Sequence, residues 1–183
     1  MRNQVEFYNT PSGYVMCDDD NYTTRLSESS REVVDELLDT IRECYSDAYR
    51  ALEQCYSKSS KNSRYQKFRI VNRFIRCNCG ELDTQKIDFI DGNINIEQVH
   101  CPLRGSGDCQ YENVICNPKR TSALTVRQLQ IAAALAEGLT PQEVSDRLYI
   151  SIHTVHNTIQ AIKVKLNLKN TTQIISWYNN MNK

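Results

Sequence analysis

Histidine is scarce in this chain, and neither sign of charge is in excess. His100, His153 and His156 are its three histidines. None belongs to a motif with a paired nucleophile or carboxylate, so the residues point away from an enzyme. Lys and Arg number 22, and Asp and Glu also number 22, which removes overall charge as a guide to partners. No apolar run approaches the length that crosses a membrane, and no charged-then-apolar leader opens the chain. These absences predict a cytoplasmic protein with no membrane partner. At 183 residues there is room for one large domain or two small ones, each able to bury a core.

Cysteine is plentiful, with eight residues. Where thiols stay reduced, metal ligation or plain burial comes before disulfides as an explanation. Charge, although balanced overall, is unevenly distributed. Residues 77–120 carry four basic and seven acidic groups, a net of −3. From Thr121 onward, six Lys or Arg (Arg127, Arg147, Lys163, Lys165, Lys169, Lys183) face three acids (Glu137, Glu143, Asp146), a net of +3. A modestly basic end is compatible with DNA contact without demanding it.

Residues 1–26, with Asn9, Pro11, Gly13 and the acidic run Asp18 to Asp20, read as an irregular segment whose Phe7, Tyr8 and Tyr14 can dock on a neighbour. Ser27 or Ser29 then suits the cap of a long helix, since Glu32 follows Ser29 at the capping-box offset. Its apolar residues are Val34, Leu37, Leu38, Ile41, Cys44, Tyr45, Ala48, Leu52 and Cys55. Positions 34, 41, 48 and 55 fall seven apart, nearly a heptad seam. After SKSSKNS, a second helix is expected from about Arg64 to Arg76. Residues 27–76 thus form a helical hairpin that either buries its own stripe or pairs subunits into a homodimer, two helices alone rarely supplying a complete core.

From Cys77 to Cys116 five cysteines gather, with His100 beside one of them. Between them, KIDFIDGNINIEQV reads as two short strands joined by the turn dipeptide Asp91-Gly92. Such a hairpin is marginal alone. It would return Cys101 toward Cys77 and Cys79, with CPLRGSGDC bringing Cys109 to the same corner. A structural Zn²⁺ held by Cys77, Cys101, Cys109 and Cys116 fits, because tetrahedral thiolates staple segments too small for a core. On one extended strand Cys77 and Cys79 would share a face, so Cys79 remains an alternate ligand, and His100 a substitute. Buried or idle thiols, or a redox switch if Cys79 is exposed with a depressed pKa, are the other readings. Catalytic zinc has no support, lacking an open position with a base.

Asn117 to Arg120 read as a linker. Beyond it Thr125 caps LTVRQLQIAAALAEG, with Gln128 at the capping-box position and Gly138 as its stop. Thr140, Pro141 and Glu143 open the next helix, which Leu148, Tyr149 and Ile150 close against something apolar. Ser151 caps a third, with Ile152, Val155, Ile159, Ile162 and Leu166 on one face and the acid-free set His153, His156, Asn157, Gln160 and Lys163 on the other. Two helices joined this way form a helix-turn-helix pattern. TTQIISWY follows as a short fourth helix.

The pieces LT-x-R, LAEGLT, EV-x-x-RL-x-IS, TV-x-N-x-I and KL-x-L-x-N-x-TQ together strongly resemble the LuxR-type (GerE-type) DNA-binding domain over roughly residues 123–178. The resemblance implies a four-helix domain whose third helix enters the major groove of double-stranded DNA and whose fourth helps it dimerise. It implies base-facing roles for His156, Asn157 and Gln160, and phosphate contacts from Thr140, Ser151, Thr154 and Lys163. The family usually has lysine where His156 stands and histidine where Thr158 stands. A neutral histidine brings less phosphate attraction than lysine. The CPLRG…C…IC stretch distantly resembles small regulators of Bacteroidetes and their phages, a likeness that supplies no ligand.

The expectation is a mainly α chain with four parts: an irregular segment 1–26, a dimerising helical hairpin 27–76, a cysteine-rich zinc module 77–117 built on a small β-hairpin, and a helix-turn-helix domain 121–183. Its function is that of a sequence-specific, dimeric transcription regulator. The alternative is an interaction module that meets RNA polymerase or a sigma factor and uses the helix-turn-helix only as scaffold.

Overall fold

The computed structural model describes residues 4–19, 22–82, 87–90 and 92–181. The chain divides into two compact units, Met1–Ser122 and Ala123–Lys183.

The first unit opens with strands, not with the irregular chain expected for residues 1–26. They are β1 (Gln4–Asn9), β2 (Val15–Asp18) and β3 (Thr23–Arg25). Val5 and Phe7 on β1 and Val15 and Cys17 on β2 are buried at a period of two, with Phe7 opposite Cys17. Two alternations per strand, among asparagines and aspartates, are too few for the pattern to declare itself. The turn between them places Gly13 at φ 82° and ties Thr10 N to the Tyr14 carbonyl at 2.8 Å.

The β-hairpin expected within the cysteine-rich stretch does not stand apart. Its hairpin strands, β4 (Phe89–Ile90) and β5 (Asn93–Ile94), extend the N-terminal sheet, whose order is β3-β2-β1-β4-β5 and whose pairs are all antiparallel. Strands of two residues cannot stand alone, so β4 pairs with β1, placing Phe89 opposite Val5. Of the anticipated turn, Gly92 has φ 73°; Asp91 lies outside the described residues.

Three helices accompany the sheet: α1 (Arg31–Cys44), α2 (Ser46–Cys55) and α3 (Ser63–Asn78). The expected capping box at Ser29 is not made. Ser30 precedes α1 and makes no side-chain cap bond. The single long helix anticipated up to Cys55 is interrupted at Tyr45. Thr121 accounts for the break: its N–H donates to the Cys44 carbonyl at 2.8 Å, and its hydroxyl accepts from Ser46 N at 3.2 Å. Those are backbone groups that an unbroken helix would pair within itself. The Tyr45 hydroxyl donates to the Ile94 carbonyl at 3.1 Å, and its ring lies 5.3 Å from Phe74. Tertiary bonds thus override a continuous helical pattern.

Apart from Cys55, which is exposed, the near-heptad stripe is buried within this unit. Val34, Leu37, Leu38, Ile41, Cys44, Ala48 and Leu52 meet Ile70, Val71, Phe74 and Ile75 of α3. Because α3 also packs on β1 and β2, the sheet completes the core that two helices alone could not. Each large side chain buried here contributes about 1.5–3 kcal/mol.

Past α3, residues 95–125 contain neither helix nor strand. Asn78, fully buried, holds part of that stretch. Its amide donates to the carbonyls of Phe74 at 2.9 Å and Ile115 at 2.8 Å, and its carbonyl accepts from Asn117 N at 2.9 Å.

The second unit contains α4 (Val126–Ala136), α5 (Pro141–Leu148), α6 (Ile152–Leu166) and α7 (Thr171–Met181) around Leu124, Leu129, Ile131, Leu135, Val144, Val155, Ile159, Ile162 and Ile174. Replacing Asn78 with alanine strands a carbonyl and an amide of the 115–117 segment. The variant should lose about 1–3 kcal/mol in urea denaturation. A loss below about 0.5 kcal/mol would mean that the clamp is not needed.

Candidate nucleic-acid interface and candidate metal centre

Three capped helix starts shape the C-terminal unit. The Thr125 hydroxyl accepts from Gln128 N at 3.2 Å while the Gln128 side-chain oxygen Oε1 accepts from Thr125 N at 3.1 Å. Thr140 and Glu143 repeat the reciprocal pair at 3.3 and 2.8 Å. Ser151 caps α6 by accepting from Thr154 N at 3.0 Å. Each pair satisfies helix N-terminal N–H groups that have no partner inside the helix.

The turn between α5 and α6 is fixed from several sides. Tyr149 adopts a left-handed conformation, φ 53° and ψ 46°, and its N–H donates to the Ser145 carbonyl. The Ser145 hydroxyl donates to the Ile150 carbonyl at 2.8 Å, and Arg127 donates to the Leu148 carbonyl at 2.9 Å. Leu148 and Ile150 pack on the core. Tyr149 does not: it is 95% exposed, because the left-handed cap turns its side chain outward. Its expected part in closing α5 against apolar residues is thereby corrected.

Helix α6 faces two ways. Val155, Ile159 and Ile162 are buried, whereas His153, His156, Asn157 and Gln160 are exposed along one stripe. His156 and Gln160 stand one turn apart, and Asn157 Nδ2 lies 3.0 Å from His153 Nε2. The stripe ends at Val164, 81% exposed. The sequence pattern alone does not single out Val164, although its spacing from Asn157 and Gln160 places it on that face.

The residues proposed for phosphate contact are more dispersed. Thr140 starts α5, Ser151 and Thr154 lie at the start of α6, and Lys163, half-buried, lies in its last turn. Three of the four also serve the fold. The Thr140 hydroxyl donates to Glu143 at 2.8 Å, and the Ser151 and Thr154 hydroxyls lie 2.8 Å apart. Lys165 reaches Gln128 at 3.0 Å, and Arg147 pairs with Glu137.

Residues 122–178 match the family described as bacterial regulatory proteins, luxR family. The match covers nearly the whole of the C-terminal unit. Proteins of this family are in general DNA-binding transcription regulators. No curated protein and no solved structure matches the chain. Residues 1–121 lie outside the match, and no helix among the described residues is long and apolar enough to cross a membrane.

In the first unit, Cys77, Cys101, Cys109 and Cys116 line one pocket of about 390 Å³, together with His100. Arg73 and Arg76 line it too. Burial pushes the Cys77 thiol up, Arg73 pulls it down, and the neighbouring Cys116, Cys101 and Cys109 push it up further. The four sulfurs are more widely spaced than in a closed metal site. Among the described residues, the set of such ligand atoms brought within 4.8 Å of one another is Glu6, Asp88 and Glu97. Those carboxylates already accept backbone N–H groups: Asp88 from Phe7 at 2.7 Å, Glu6 from Asp88 at 3.2 Å, and Glu97 from Glu81 at 3.3 Å.

The extended strand assumed for Cys77 and Cys79 is instead the end of α3, so the two thiols face different ways. Cys79 is fully buried, and its sulfur donates to the Asn95 carbonyl at 3.6 Å. Burial pushes its thiol well up, with Asp88, Glu97 and Glu6 adding to the effect. That environment is the opposite of what a redox thiol needs.

Hydrogen bonds from the Thr140 N–H and hydroxyl hold the Glu143 carboxyl below the usual range. Its stabilising contribution is therefore complete above the unfolded-state pKa and lost as pH falls through the folded one. Thr140→Ala should lower the denaturation midpoint at neutral pH and flatten the acid limb of the stability profile. An acid limb identical to that of the unaltered protein would contradict the assigned cap.

Proposed function

We propose that this protein is a sequence-specific DNA-binding transcription regulator that acts as a homodimer and reads the major groove with α6. The observation that carries the proposal is the acid-free stripe His153, His156, Asn157, Gln160 and Val164, exposed on a helix whose opposite face is locked into the core. An α-helix fits the major groove, where base edges present donor and acceptor patterns distinct for each pair. Asn157 and Gln160 carry both donor and acceptor on one amide, which suits an adenine edge. Val164 offers an apolar surface for a thymine methyl.

The remaining groups support docking. Lys163 lies in the last turn of the same helix, and the Thr140 and Ser151 caps stand at the starts of α5 and α6. Such groups fix register on the phosphates while the stripe supplies discrimination. For the homodimer, the seam on α1 and α2 is a poor contact because it is buried within the first unit. Helix α7 is the better one, with Ile175, Trp177 and Tyr178 only partly buried against the core. A second reading, an interaction module for RNA polymerase or a sigma factor, has one observation in its favour: the 95% exposure of the Tyr149 ring.

Binding to mixed DNA by the full chain should weaken steeply as salt rises. On a site selected from random DNA, Gln160→Ala and Asn157→Ala should each reduce affinity by about 5- to 100-fold with an unchanged denaturation midpoint. Equal affinity of both variants for that site would remove α6 as the reading element. Salt-insensitive or absent DNA binding would favour the protein-partner reading.

A further inference from the structure

We infer that Cys77, Cys101, Cys109 and Cys116 bind one structural zinc ion that fastens the turn-rich segment 101–116 to the C-terminal end of α3. The inference stands apart from the DNA-reading role of α6, since every residue it uses lies in the first unit.

The argument begins with how little else holds the segment. From residue 101 to residue 114 no residue is buried, and Leu103 and Val114 are exposed outright. Only Ile115 enters the core before Cys116 is reached. The hydrogen bonds are largely those of successive turns: Arg104 N to the Cys101 carbonyl at 3.1 Å, Glu112 N to the Cys109 carbonyl at 3.0 Å, and Ile115 N to the Tyr111 carbonyl at 3.0 Å. Ties to the rest of the unit come at the ends, from His100 N to Glu81 and from Asn78 to Ile115 and Asn117. A long stretch without secondary structure in a compact domain calls for some further restraint.

The cysteines are placed to supply it. Cys101 and Cys109 each open one of the turns, Cys116 follows the anchored Ile115, and all three line the same pocket as Cys77 on the last turn of α3. Four thiolates are the donor set of a closed, structural zinc site with Zn–S distances of about 2.3 Å. No three of the four sulfurs lie within 4.8 Å of one another, so binding the ion draws the turns at Cys101 and Cys109 in toward Cys77 and Cys116. Zinc with four thiolates carries two net negative charges. Arg73 and Arg76, lining the pocket, offset them. The fully buried Cys79, bonded to Asn95, is outside the set.

Full-length protein purified under reductant should contain about one equivalent of zinc, with less than about half an equivalent overturning the inference. Replacing zinc with cobalt should give the absorption of tetrahedral thiolate coordination, and an octahedral spectrum in folded protein would also overturn it. Cys109→Ser should lose the metal while Cys55→Ser, on α2, keeps it. Because a ligand variant can fail to fold, the cobalt spectrum of the unaltered protein decides in that case. His100→Ala should retain full zinc, and loss of zinc there would overturn the four-cysteine set. Arg73→Ala should keep the cobalt spectrum but weaken zinc affinity by about 10- to 100-fold, and unchanged affinity would overturn the charge-offsetting role of Arg73.

Discussion

The C-terminal domain depends on side chains that complete the backbone hydrogen bonding at its helix ends. Thr125, Thr140 and Ser151 each supply an oxygen to an N–H that the following helix leaves without a partner. Ser145 and Arg127 do the same for carbonyls in the turn. Satisfying these groups locally lets a turn of three residues, Tyr149 to Ser151, set the angle between α5 and α6. It also frees the outer face of α6 from structural duty. A helix whose polar side chains were needed for packing would have none to offer a ligand. Here Val155, Ile159 and Ile162 hold the helix, and His156, Asn157 and Gln160 are left available.

The first unit solves a different problem. Its helices bury a stripe that would otherwise ask for a partner, and a small sheet provides the missing cover. Two polar devices shape the result. Thr121 interrupts the long helix by taking over the Cys44 carbonyl and the Ser46 N–H, while buried Asn78 ties the far end of α3 to residues 115 and 117. Buried amides with all their bonds made specify one arrangement, because any other strands them. The segment between Cys101 and Val114 has no such anchor in the apolar core. The thiol pocket lies beside it, lined also by Arg73 and Arg76.

Legibility followed the density of local signal. The α4 to α6 region was readable because its caps are written in adjacent residues: Thr125 with Gln128, Thr140 with Glu143, and Ser151 before an apolar period. The strands β1 to β3 were not, since two buried alternations among asparagines and aspartates look like loop. The break at Tyr45 was invisible for a stricter reason. Its cause, Thr121, lies far along the chain, and no window around Tyr45 contains it. On an extended strand Cys77 and Cys79 share a face; the end of a helix turns them to different sides. On α6, polarity picks out His153, His156, Asn157, Gln160 and Lys163, and the family resemblance narrows these to His156, Asn157 and Gln160 as base-facing; Val164 escapes both because an apolar residue on an exposed stripe resembles core until the helix is seen from outside.

The central claim is that the outer face of α6 meets base edges in the major groove. Chemical interference on a DNA site selected by the full-length protein tests it most directly. Guanine N7 methylation and removal of thymine methyls alter the major groove and leave the phosphates unchanged. Strong loss of binding from either change, at positions clustered within the site, is the predicted result. Binding that survives both, while phosphate ethylation still abolishes it, would contradict the account and reduce α6 to a backbone contact.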